Sequence, residues 1–222
     1  MSDTTIVSTD SPACFVGGGV IGNRPLGADL ASDTRFVGVD SGADHLLAAG
    51  ISPMIVIGDF DSLSDAARAA FGAVLHHVAE QDTTDFEKAL MRVDAPLITA
   101  LGFTGGRIDH ILGVLNVMAR YPQKRVLLAD DEDVSFVMTA RLERLELPED
   151  TRISLMPLDD VVVTATGLRW SLNGFAMRPT GRTSGSNVTT GTPIAIQTTG
   201  PILVTLPRAF LAVAAQAAVR AE

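Results

Sequence analysis

Met54-Ile55-Val56-Ile57-Gly58-Asp59-Phe60-Asp61-Ser62 is an unbroken apolar run that stops at a glycine and opens into two aspartates. Four consecutive apolar residues without alternation read as a strand covered on both faces, as in a parallel sheet. A helix-forming stretch at residues 64–71 and another short apolar run at 74–78 follow directly, so the segment reads strand, helix, strand. The same texture extends in both directions. Further strands are expected at residues 13–16, 36–40, 96–101 and 125–128, and helices at 85–92 and 108–120. Asp82, Thr83 and Thr84 supply N-cap oxygens for the helix that begins at Asp85. This alternation implies an α/β fold over residues 1–137, a doubly wound and mostly parallel sheet whose site lies beyond the carboxyl ends of its strands.

The texture changes after about residue 138. Short runs rich in Val, Ile and Thr at residues 152–157, 161–166, 168–172, 192–198 and 201–206 are separated by Gly, Asn and Pro. Closely spaced strands of this kind read as an antiparallel β-sandwich, residues 138–222, closed by an Ala-rich terminal helix at 209–221.

Composition narrows the function. The chain has 222 residues, 46% of them hydrophobic, enough for two cores. No apolar stretch reaches the roughly 18 residues of a membrane span, and residues 1–13 lack the basic and apolar regions of a secretory signal. Cys14 is the only cysteine, which excludes an intrachain disulfide and suggests the cytoplasm. A net charge of −9 with no basic run argues against nucleic acid as partner. A polyanionic substrate would be repelled by such a chain unless a cation intervened.

Four segments are able to carry chemistry. Asp59 and Asp61 at a strand end approach one cation if Gly58 permits a tight turn; the bland alternative is a turn with a helix cap. The segment Gln81-Asp82-Thr83-Thr84-Asp85 follows the next strand, so Asp85 is placed on the same sheet edge as Asp59 and Asp61. Carboxylates gathered there repel one another until a divalent ion such as Mg²⁺ is bound. The segment from Gly102 to His110 contains Gly105-Gly106-Arg107-Ile108-Asp109 and opens a helix, an arrangement suited to phosphate. Gly17-Gly18-Gly19-Val20-Ile21-Gly22 fits G-x-G-x-x-G, and Asp40 ends the next strand 18 residues on. That pattern supports a dinucleotide-dependent oxidoreductase as the rival reading, although Arg24-Pro25 interrupts the helix it requires. A P-loop is absent from the sequence, and the only lysines are Lys88 and Lys124.

Taken together, these segments resemble the thiamin pyrophosphokinase family. The matching pieces are Val39-Asp40-Ser41-Gly42-Ala43-Asp44, Gly58-Asp59-Phe60-Asp61-Ser62, the run from Gln81 to Leu90, Gly102 to His110, Thr166-Gly167-Leu168-Arg169-Trp170 and Ser184-Gly185-Ser186-Asn187. The resemblance implies ATP as co-substrate with Mg²⁺, and thiamin held between the α/β domain of one subunit and the β domain of another in a homodimer. It implies that Asp59, Asp61 and Asp85 hold the metal and pyrophosphate, with Asp40 near them. Gln81, Asp82 and Thr84 are implied neighbours of nucleotide or thiamin, Arg107 and Asp109 ATP contacts, and Ser184, Ser186 and Asn187 the thiamin-binding loop. Either Asp85 or Asp109 accepts the hydroxyl proton in that scheme. Trp170 is a candidate to stack on thiamin, with a place in the core as its alternative. A ligand sensor without catalysis on the same fold is the second rival.

Overall fold

The computed structural model describes residues 5–221. Residues 1–4 and 222, which include the ends of the two expected domains and the start of the polar N-terminal segment, lie outside the described residues. The chain divides into two compact units, Met1–Met118 with Leu128–Asp131, and Ala119–Leu127 with Glu132–Glu222.

The first unit contains β1 (Val7–Ser8), β2 (Ala13–Val16), β3 (Arg35–Val39), α1 (Gly42–Ala48), β4 (Ile55–Gly58), α2 (Asp65–Phe71), β5 (Leu75–His77), α3 (Asp85–Arg92), β6 (Val93–Asp94), β7 (Ile98–Leu101) and the greater part of α4 (Ile108–Arg120). The next strand, β8 (Val126–Ala129), spans the division between the units. Strands β7, β2, β3, β4 and β5 lie side by side in that order and all run parallel. Every residue of β2, β4 and β7 is buried, which is why those segments read as largely apolar runs, Thr99 of β7 being the polar exception. The order turns at β2, which crosses to β3 on one side and pairs with β7 on the other. The loops after β2 and β7 therefore flank the switch point where open α/β sheets bind ligands.

Helix α1 was not expected from the sequence, because it opens on Gly42, a poor helix former. Packing imposes that glycine: a Cβ there would lie 1.7 Å from the carbonyl oxygen of Val16.

The second unit is mostly antiparallel: β9 (Asp133–Met138), β10 (Arg141–Leu145), β11 (Arg152–Pro157), β12 (Val161–Thr166), β13 (Leu172–Met177), β14 (Ser184–Val188), β15 (Ile194–Thr198), β16 (Ile202–Pro207) and the terminal α5 (Leu211–Arg220). Two runs of four strands form, in the orders β14-β11-β16-β9 and β10-β15-β12-β13. Strands such as β12 alternate buried and outward residues, so each has one face in the core. The strand expected at 168–172 is absent. Leu168 makes one bridge to Thr189, and regular pairing resumes only at Leu172. Strand β14 escaped the sequence reading because its Ser, Gly and Asn carry weak strand propensity.

Candidate active site

Each parallel strand delivers the loop that follows it to one edge of the first unit's sheet. Asp40 stands at the end of β3 in a left-handed conformation, φ 47°, unusual for a residue with a Cβ. Its place depends on Gly58 of β4, where a Cβ would come within 2.9 Å of the Asp40 Cβ. Phe60 is also left-handed, φ 64°, with its ring buried and 5.7 Å from that of His77. Its carbonyl accepts a hydrogen bond of 2.9 Å from Arg68 of α2. With Phe60 turned inward, Asp59 and Asp61 converge on Asp40. One carboxylate oxygen from each lies within 4.8 Å of the others.

This trio is electrostatically poised for a cation. Asp40 Oδ1 is buried with no hydrogen-bond partner. Burial raises the Asp40 pKa, and the charges of Asp85, Asp61 and Asp59 push the same way, against the Ser41 N–H that lowers it. A buried oxygen left without a donor costs stability unless something positive meets it. Mg²⁺, which takes hard oxygen ligands about 2.0–2.1 Å away, fits this donor set.

Asp85 occupies a different position in the cluster. It begins α3, whose N-cap is Thr84: the Thr84 hydroxyl accepts the Glu87 N–H at 3.3 Å. One turn along, Lys88 points back, and its Nζ lies 3.0 Å from Asp85 Oδ1 and 3.1 Å from Asp59 Oδ2. Only 1% of the Lys88 side chain is exposed. Burial works against its charge, but the hydrogen bonds to Asp85 and Asp59 outweigh that effect and raise its pKa. Gln81 Nε2 donates to the same Asp59 oxygen at 3.0 Å; this bond, with the Asp61 N–H and Lys88, lowers the Asp59 pKa against the opposing effect of burial. Lys88 is the group that sequence reasoning missed. Its spacing of three residues from Asp85 was visible, but nothing in the sequence said that it would also reach Asp59.

The loop before α3 is organised by Glu80, another residue not singled out. Its carboxylate accepts the Asp82 and Thr83 N–H groups at 2.8 and 3.0 Å and the Thr83 hydroxyl, and its pKa is lowered chiefly by that hydroxyl. Asp82 itself is exposed.

Between β2 and β7, the glycines at 17–19 are explained by close packing. A Cβ on Gly17 or Gly19 would come within 2.7 or 2.6 Å of the Gly102 carbonyl, and one on Gly18 within 2.1 Å of Ser41 Oγ. No helix follows this loop before α1, and Asp40 belongs to the acidic trio. The dinucleotide fingerprint therefore lacks the helix N-terminus on which it depends. On the other side of the switch point, Arg107 forks onto Asp109 through two hydrogen bonds of 3.1 and 2.6 Å, and both side chains are largely exposed.

In the second unit, Ser184, Ser186 and Asn187 all lie on β14. Ser184 and Asn187 are buried and hydrogen-bonded to each other, whereas Ser186 is exposed with φ 54°. Trp170 is 58% exposed, so it is not a core residue.

Two family models match: thiamin pyrophosphokinase, catalytic domain, over residues 29–128, and thiamin pyrophosphokinase, vitamin B1 binding domain, over residues 141–203. A thiamine pyrophosphokinase of Bacillus subtilis is 32% identical over 152 residues, covering 63% of this chain and 71% of that protein. Thiamine pyrophosphokinase 1 of Arabidopsis thaliana is 29% identical, and the match spans 69% of this chain and 65% of the relative. The crystal structure of the Bacillus subtilis enzyme aligns with TM-score 0.75 at 25% identity, over 89% of this chain and 98% of that one. The yeast thiamin pyrophosphokinase structure shares the fold at the same TM-score with 16% identity.

Proposed function

The chain belongs to the thiamin pyrophosphokinase family, and we propose that it transfers pyrophosphate from ATP to thiamin at the carboxyl edge of its parallel sheet. The observation that carries this reading is the convergence of Asp40, Asp59 and Asp61 around a buried carboxylate oxygen that no donor meets. Asp40, Asp59 and Asp61 would hold Mg²⁺, with Asp85 beside them. When bound, the ion supplies positive charge for the phosphate oxygens and for the departing AMP.

The chain's own residues do the rest by positioning. Gln81 and Lys88 hold Asp59 in one orientation. Arg107, on the glycine-rich loop beside the switch point, is the candidate ATP contact, and it would exchange Asp109 for phosphate. The thiamin hydroxyl oxygen bonds to the β-phosphorus while the bond to the α-phosphate oxygen breaks, and AMP leaves with that electron pair. A carboxylate takes the hydroxyl proton. Asp85, whose charge is felt by Asp40 in the trio, and Asp109 are the two candidates.

The exposed indole of Trp170 and the exposed Ser186 support a thiamin wall on the second unit. That unit brings together no comparable acidic group among the described residues, so its wall needs another unit's chemistry. In the proposed assembly, a homodimer with composite sites, that chemistry comes from the other chain. A cytoplasmic setting accords with a chain whose one cysteine, Cys14, is buried. The test is thiamin diphosphate formation from ATP and thiamin in excess chelator, then with Mg²⁺ restored. Activity should vanish and return; sustained turnover in chelator overturns the metal role.

A further inference from the structure

The resemblance casts Asn187 as part of the surface that touches thiamin, but its amide has nothing left to offer. Asn187 is 2% exposed. Its Nδ2 donates to the Trp170 carbonyl at 2.8 Å and to Ser184 Oγ at 3.1 Å. Its Oδ1 accepts the Trp170 N–H at 3.2 Å and the Val188 N–H at 2.8 Å. A primary amide has two donor hydrogens and two acceptor positions, and all four are used inside the unit. The orientation is fixed by the network, because a flipped amide would set NH₂ against two N–H donors and oxygen against a carbonyl.

These bonds continue a ladder that would otherwise stop. The segment between β12 and β13 pairs with the chain around β14 through Thr190 N–H to Gly167 O at 3.0 Å, the Leu168–Thr189 bridge, and Arg169 N–H to Val188 O at 2.7 Å. At the next residue, Trp170, both described main-chain bonds go to a side chain instead. The Asn187 side chain stands in for a backbone partner, accepting from the Trp170 N–H and donating to the Trp170 C=O as a peptide group would. Trp170 is thereby fixed by its main chain while its indole stays largely exposed, with the Arg169 guanidinium 5.9 Å from its ring centroid. Arg169 is held in turn by Asp150.

We propose that Asn187 is a positioning residue: it grips the Trp170 peptide so that the indole presents a fixed face to the flat heteroaromatic ring of the substrate, and it does not touch the substrate. This rests on the reading of Trp170 as the thiamin wall. An indole held in place loses less freedom on stacking than a mobile one, so the effect belongs in substrate affinity rather than in the chemical step.

Trp170 is the only tryptophan, so its fluorescence reports on this residue alone. Asn187→Ala removes the grip, and Asn187→Asp keeps shape and acceptors but loses both donors. In each variant, indole anisotropy should fall and acrylamide quenching should rise. The KM for thiamin should increase roughly tenfold, as for loss of buried hydrogen bonds. The KM for ATP and kcat should stay within about twofold. Trp170→Ala alone should raise the thiamin KM, and adding Asn187→Asp to it should raise it no further. In the unmutated protein the Trp170 amide hydrogen should exchange slowly despite the residue's exposure, a readout that survives if a variant fails to fold. An Asn187 effect that persists at full size without the indole, an indole unmoved by either substitution, or a freely exchanging Trp170 amide overturns the grip. A Trp170→Ala enzyme with unchanged thiamin KM overturns the wall reading, and the functional half of the proposal with it, even where the indole is loosened as expected.

Discussion

Lys88 Nζ lies 3.1 Å from Asp59 Oδ2, with 1% of the lysine side chain and 12% of the aspartate side chain exposed. A buried ammonium thus shares a carboxylate that the proposed metal site also needs. Asp59 holds two roles and Asp61 one: Asp61 is exposed, and its carboxylate accepts only the hydroxyl of adjacent Ser62 among the bonds described.

The two aspartates should therefore separate on mutation. Asp61→Asn should cost about 10²–10³-fold in turnover, as for loss of a major electrostatic stabiliser, with melting temperature kept or slightly raised as repulsion eases. Asp59→Asn should lose as much turnover and also about 1–3 kcal/mol of stability, because buried Lys88 is left with Asp85 alone. Denaturation and turnover measured on both variants check this. Near-normal turnover with reduced stability would reduce the loop to a helix cap.

Asp40 gives a pH signature in the metal-free protein. Its pKa is raised above the usual 3.8, first by burial and then by neighbouring carboxylates. A group raised in this way stabilises the fold below its unfolded pKa, and that contribution is lost as pH rises through the folded value. In chelator, Asp40→Asn should be more stable than the parent at neutral pH, with the advantage closing as pH falls toward 3.8. Asp59 runs the opposite way: its pKa is lowered, so its contribution disappears only as pH falls through its depressed folded value. Urea titrations across pH test this, and an advantage independent of pH contradicts it.

Composite sites predict complementation. Asp61→Asn chains mixed with chains carrying Trp170→Ala and Ser186→Ala, assayed at low thiamin where each is inactive alone, should recover up to about a quarter of normal activity. Random pairing makes half the dimers mixed, each with one intact site. No recovery despite demonstrated subunit exchange would place each site within one chain.

The parallel core was legible because β2, β4 and β7 are buried along their whole length, and burial on both faces leaves a mostly apolar signature without alternation. The convergence of Asp59 and Asp61 was expected from a turn at Gly58, but Gly58 ends β4 and the left-handed residue between the two aspartates is Phe60. Asp40 was placed only near the site. Its entry into the trio depends on two left-handed residues and a missing Cβ on a neighbouring strand, features of tertiary contact that spacing does not encode. Lys88 stood out in the sequence only as one of two lysines, and the fold gives it an internal task. Asn187 entered the thiamin-binding loop only through the family resemblance, which says nothing of its internal bonds. Two of its four bonds go to the Trp170 peptide, 17 residues away in sequence.

The central claim is pyrophosphoryl transfer in one step, and the nucleotide product tests it most directly. Enzyme incubated with ATP, Mg²⁺ and thiamin should yield AMP and thiamin diphosphate in equal amounts, because attack falls on the β-phosphorus. Chromatography that instead found ADP with thiamin monophosphate would contradict it, since attack would then have fallen on the γ-phosphorus.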